Sequence, residues 1–173
     1  MSNTSSTSTS TKKKVPKPVL KWGGGKAKLL DYIIKNLPEN CKVNYYEPFV
    51  GGCSVFLGII ELEKSRFKEY TVCDINESLI NVYTIVKDSV NDLIKELKKE
   101  KYSNISENYY KCRERFNHLK INCDNSDKIE MCALFIFLNK CGFNGMYREN
   151  SKGLFNIPFG KMKNPTICDT VNL

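Results

Sequence analysis

The chain has 173 residues, enough for one domain and short for two. At 41% hydrophobic and 11% aromatic residues it can bury a core, yet its longest apolar run, Met131 to Leu138, is too short to span a bilayer and fits a buried helix. Lys and Arg number 27 against 19 acids, and the net charge of +8 favours a polyanionic partner. Eight cysteines (Cys41, Cys53, Cys73, Cys112, Cys123, Cys132, Cys141 and Cys168) include no CxxC pair, and His118 is the single histidine. That pattern speaks against structural zinc, whose ligands come in close pairs. With no secretory signal at the N-terminus, the cysteines read as reduced thiols of an intracellular protein, cytoplasmic or nuclear, with no membrane span and no metal.

Residues 1–17 read as a disordered polar tail. Within it, Lys12 to Lys14 fit a nuclear address, a nucleic-acid contact or a plain solvated charge run. After the tail, the glycines of "KWGGGK" precede an amphipathic helix from about Lys26 to Leu37, with Leu29, Leu30, Ile33, Ile34 and Leu37 on one face and Pro38 as a stop. "VNYYEPFVGG" predicts a strand and turn, "SVFLGIIELE" a helix, "EYTVCDIN" a second strand and "ESLINVYTIVKD" a helix. This β-α-β-α order predicts a parallel sheet with right-handed crossovers. From Ser89 the pattern turns helical: Val90–Glu100, Ile105–Lys120 and Asp127–Lys140 each read as a helix. The stretch from Cys141 to Pro165 has no apolar period but is rich in Phe, Tyr, Arg, Lys and Asn, and reads as a binding surface.

Two features point to a ligand. Gly51 and Gly52 sit where a strand turns into a helix, the usual place for an α/β protein to hold a nucleotide-like molecule. Asp74 follows at the end of the second strand, near the spacing expected of a carboxylate that binds ribose hydroxyls. Asp74, Asn76 and Ser78 also lie where a helix cap belongs, and both readings stand on these residues alone. No GxGxxG occurs, and in "KWGGGKAK" Lys26 is followed by Ala27, so there is no Walker Ser or Thr. An adenosine-type ligand without a triphosphate cradle fits best.

Five blocks carry a resemblance: "LKWGGGK" (Leu20–Lys26), "EPFVGGCSVFL" (Glu47–Leu57), "CDINESLINVY" (Cys73–Tyr83), "FLNKCGFNGMYREN" (Phe137–Asn150) and "GLFNIPFGKMKNP" (Gly153–Pro165). In this order they resemble the Dam-type DNA adenine methyltransferases, the α group of amino-methyltransferases. The resemblance implies an α/β chain with a partial Rossmann-like fold for S-adenosylmethionine and a helical target-recognition domain. It assigns Trp22, Lys26, Glu47, Phe49, Gly51, Gly52 and Asp74 to the cofactor. It turns Lys21, Asn139, Phe143, Asn144, Met146, Arg148 and Lys161 toward double-stranded DNA with a GATC-like target. Arg148 would read a guanine through its fork, and Lys161 would meet phosphate.

One departure stands out. The family's catalytic loop is a DPPY-type motif after the "IPFG" block, and here no two of the six prolines are adjacent. The resemblance therefore implies residues 18–88 as the N-terminal half of a cofactor domain, 89–165 as the recognition domain, and 166–173 as an end ahead of the catalytic loop. The chain alone is expected to be inactive. The alternatives are a non-catalytic DNA- or cofactor-binding remnant, and one half of a split enzyme whose second chain supplies the loop.

Overall fold

The computed structural model describes residues 15–38, 43–63, 66–122 and 127–173. The lysine run at Lys12 to Lys14, Cys41 and Cys123 lie outside them. The described residues form a mixed α/β structure with a two-stranded parallel sheet and five α-helices. In chain order these are α1 (Leu30–Lys35), β1 (Tyr45–Glu47), α2 (Ser54–Glu63), β2 (Tyr70–Val72), α3 (Glu77–Leu97), α4 (Ser106–Ile121) and α5 (Lys128–Cys141). The first helix is shorter than its pattern predicts, because Ala27–Leu29 form a 3-10 turn before it, which leaves Leu29 exposed instead of on the apolar face with Leu30, Ile33, Ile34 and Leu37.

β1 and β2 pair in register, Tyr45 with Tyr70 and Glu47 with Val72. The ladder runs on past them, since the Val50 N–H donates to the Cys73 carbonyl at 2.9 Å. Both strands thus deliver their carboxyl ends, the Gly51–Gly52 turn and Asp74, to one edge. The inward side chains Tyr45 and Tyr70 pack with Phe67 against Leu30, Val55 and Ile59 of α1 and α2. The other face leaves Tyr46 65% exposed.

The larger core is helical. α5 is apolar on all sides, with Cys132 to Asn139 buried without a break, and it packs against both α3 and α4. Its start is fixed by Asp127, whose side chain accepts from the Glu130 N–H at 2.9 Å. Tyr109, Cys112, Phe116 and Leu119 bury one face of α4 at helical spacing. A carboxylate network ties the far end together. Tyr102 and Lys101 donate to Glu96 at 2.9 and 2.8 Å, and Lys101 and Arg115 reach Glu130. Burial pushes both carboxyls up, but these donors outweigh it and hold them below the usual carboxylate range.

The break expected at Ser89 is present as a kink: Ser89 alone leaves helical geometry (φ −149°, ψ 37°), and the helix read from Val90 follows it directly as the second half of α3. Apolar residues on both sides of the kink, Val82 and Leu93 among them, enter one core. One expectation changes: the last residues of the polar tail are placed. Val15 packs against the smaller cluster, and the Lys17 backbone pairs with the Asn172 amide through two bonds of 2.8 Å.

Candidate cofactor and nucleic-acid site

A cavity of about 200 Å³ opens at the carboxyl ends of β1 and β2. Trp22, Lys26, Glu47, Phe49, Gly51, Gly52 and Asp74 all line it, although they are spread over some fifty positions of the chain. The turn that shapes it needs unusual backbone. Gly51 has φ +50°, and a Cβ on Gly52 would stand 2.9 Å from Cβ of Trp22, so these glycines let the tryptophan lie on the turn. Cys53 holds φ +61° with a fully buried side chain, and burial pushes its thiol up to about 12, which leaves it protonated and unreactive.

Asp74 closes the turn. Its Oδ2 accepts from the Gly51 N–H at 2.9 Å and its Oδ1 from the Asn76 N–H at 3.0 Å. The cap of α3 is Asn76, whose Oδ1 accepts from the Leu79 N–H at 3.0 Å. A carboxylate offers about four acceptor positions, so Asp74 keeps free lone pairs toward the cavity. Beside it, Phe49 is 83% and Ile75 99% exposed, an apolar surface at the mouth.

Glu47 takes a hydrogen bond from the Tyr45 hydroxyl at 2.7 Å. Burial raises its carboxyl, against the lowering effects of that bond and of the Lys26 charge. A folded-state value above the unfolded one means that the ionised form strains the fold. The strain is fully present above the folded value and gone below the unfolded one. Glu47→Gln is therefore expected to raise the melting temperature at pH 7. The gain should shrink as pH falls through the carboxylate range, in thermal unfolding from pH 3 to 8. An equal gain at every pH would contradict it.

The residues expected at DNA divide. Phe143, Asn144 and Met146 lie on an exposed 3-10 turn after α5, with Phe143 50% and Met146 45% exposed. The Lys21 side chain rests on that turn, where a Cβ on Gly145 would stand 2.5 Å from its Cδ. Lys161, exposed at φ +51°, joins them because residues 141–143 pair antiparallel with 158–160. The Phe143 N–H donates to the Pro158 carbonyl at 2.9 Å and the Gly160 N–H to the Cys141 carbonyl at 2.8 Å. Arg148 is exposed on a hairpin and lines a wider groove of about 700 Å³ with Ile75, Lys120 and Tyr147.

Asn139 does not face outward. It is 1% exposed, accepts from the Lys21 N–H at 2.8 Å, and donates to the Lys21 and Gly145 carbonyls at 2.9 Å each. Both of its N–H donors are spent in joining the segment before Trp22 to the turn after α5. A side chain this buried, with no donor left, presents nothing to a base.

Several contributors were not singled out in the sequence. Ser54 Oγ accepts from the Lys26 N–H at 3.1 Å, and the Tyr83 hydroxyl donates to the Gly52 carbonyl at 2.8 Å. Trp22 stacks on Tyr147, centroids 5.4 Å apart, so the cavity wall also supports the residue beside Arg148. On α4, Tyr109, Arg113 and Asn117 recur every four residues and all bond the backbone at Phe155 and Ile157. That spacing is the one signal in the sequence for such a row. Among the described residues no cluster of His, Cys, Asp and Glu is suited to a metal, and no helix is long and apolar enough to cross a membrane.

The comparisons agree on one family. The model for D12 class N6 adenine-specific DNA methyltransferase matches residues 22–173. The Type II methyltransferase M.MjaIII of Methanocaldococcus jannaschii is 44% identical over 168 residues, 91% of this chain and 56% of that protein. The DNA adenine methylases of Haemophilus influenzae and Escherichia coli K12 are each 40% identical, over 85% and 84% of this chain and 48% of theirs. The chain spans about half the length of these relatives. Its sequence places the chain in the D12 class of N6 adenine-specific DNA methyltransferases, to which it belongs.

Proposed function

We propose that this chain carries the cofactor- and DNA-recognition elements of a DNA adenine methyltransferase. Residues 18–88 serve as a Rossmann-like half-domain for S-adenosylmethionine, and residues 89–165 recognise double-stranded DNA. The observation that carries this reading is the convergence of seven dispersed residues, from Trp22 to Asp74, on one cavity at the ends of two parallel strands.

The residues fit the cofactor. Asp74 has lone pairs left for two vicinal ribose hydroxyls, and Glu47 with Lys26 offers opposite charges to the ammonium and carboxylate of an amino acid. The cavity is smaller than the roughly 300 Å³ at which pockets enclose a whole ligand of this size. Part of the molecule would therefore rest on Phe49 and Ile75 at the mouth. When bound, S-adenosylmethionine supplies an electrophilic methyl group. The chain's own residues fix its two ends, and the exposed turn at Phe143 to Met146, with Arg148 and Lys161, holds the duplex beside it. Transfer to the adenine amine also requires a group that aligns that amine and takes its proton, work that the family's DPPY-type loop would do. No adjacent proline pair exists here to form it.

Trp22 is the single tryptophan, so its fluorescence reports on the cavity. Titration with S-adenosylhomocysteine is expected to give a saturable change, and its absence at millimolar ligand would end the cofactor reading. With labelled cofactor and adenine-containing duplexes, the purified 173-residue chain is expected to transfer no methyl group. Adenine methylation by it alone would overturn that part. Methylation restored when a polypeptide bearing a DPPY loop is added would show that these residues supply the cofactor- and DNA-recognition parts of the reaction.

A further inference from the structure

Reading a base through an arginine fork demands that the guanidinium be presented at a set angle. We infer that Asn156 sets that angle for Arg148, as a positioning residue for base discrimination. This rests on the reading of Arg148 as a guanine-facing residue. The Nε–H of Arg148 donates to Asn156 Oδ1 at 2.8 Å, and the Asn156 N–H donates to the Arg148 carbonyl at 3.1 Å. Asn156 is thus Arg148's neighbour across the hairpin and also holds its side chain. The acceptor takes the inner N–H of the fork. It leaves both terminal nitrogens, the pair that a bidentate contact to guanine O6 and N7 uses.

Asn156 is itself held on both sides. The Asn117 amide pairs with the Phe155 backbone at 2.8 and 3.0 Å. The Ile157 carbonyl accepts from the Tyr109 hydroxyl at 3.0 Å and from Arg113 at 3.2 Å. On the facing strand Lys120 bonds Glu149 and, at 3.0 Å, the Gly153 carbonyl. The row on α4 fixes the hairpin, the hairpin fixes Asn156, and Asn156 fixes an otherwise exposed side chain. An arginine already in place loses less rotamer freedom on docking, which sharpens discrimination at one base pair.

The test is competition binding of the full chain to a duplex pool randomised over a six-base window, read by sequencing, with salt titrations beside it. Wild type should enrich guanine at one position, and Arg148→Ala should lose that preference. Asn156→Ala should lose roughly 3- to 10-fold of it, the worth of one hydrogen bond, with the salt slope unchanged. Asn156→Asp keeps the acceptor and should keep the preference. The double variant should be no worse than Arg148→Ala alone. If wild type shows no guanine preference, or Arg148→Ala keeps it, the base-reading role falls and this inference with it. If Arg148→Ala loses the preference while Asn156→Ala retains it, the inference alone falls. A second measurement reads the contact directly. The Arg148 Nε–H should exchange with solvent more slowly in wild type than in Asn156→Ala, and equal exchange in the two overturns the inference.

Discussion

Asn139→Ala is expected to lower the stability of the chain by about 3–5 kcal/mol, because it strands three backbone groups that depend on one amide. Lys21 loses the partners of both its N–H and its carbonyl, and Gly145 loses the partner of its carbonyl. Asn139 is buried, so water reaches these groups only after the neighbouring segments part. At about 2–4 °C per kcal/mol for a domain of this size, the melting temperature should fall by roughly 6–20 °C. Trp22 follows Lys21 directly, so its emission should shift to the red in the folded variant. Met146→Ala on the same exposed turn should change stability by less than about 0.5 kcal/mol. A loss below about 1 kcal/mol for Asn139→Ala in urea unfolding would show that this amide is no latch.

Asp74→Ala is expected to weaken S-adenosylhomocysteine binding by about 2–3 kcal/mol, at least tenfold, through two losses at once. The ligand's hydroxyls lose a charged acceptor. The Gly51 and Asn76 N–H groups lose the carboxylate that shapes the turn around the ligand. Asp74→Asn should do little better. Its amide has one oxygen for two backbone donors, and its NH₂ would face the second N–H. The two losses separate by measurement. Melting without ligand reports the turn, and affinity from Trp22 fluorescence reports turn and ligand together. An affinity unchanged in both variants would remove Asp74 from the cofactor site.

The geometry makes two distant parts of the chain neighbours. Trp22 lies close on the Gly51–Gly52 turn and stacks on Tyr147. Lys21, one residue earlier, is sewn by Asn139 to the turn bearing Phe143 to Met146. The cavity at the strand ends and the exposed turn after α5 are therefore built on adjacent residues of one short segment, although Lys21 and Asn139 are 118 positions apart.

What the sequence determined by itself was local. The order of strands and helices up to Asp74 follows from periodicity and glycine turns, and a cavity lies at that glycine turn and acid. α4 was legible from its helical period and α5 from an apolar run of helix length. Only the tertiary structure decided the rest. The break at Ser89 was legible in the sequence, but that the two halves of α3 meet there at a kink and enter one core is a tertiary result. Asn139 was expected at DNA, and Asn117 and Asn172 were not singled out. In the structure each amide pairs with a backbone N–H and carbonyl, at Phe155, Lys21 and Lys17. An asparagine amide carries the same donor and acceptor as a peptide group, so it can replace a strand partner anywhere the chain passes close. That substitution leaves no period in the sequence, because the partner is chosen by proximity in space and not by position along the chain.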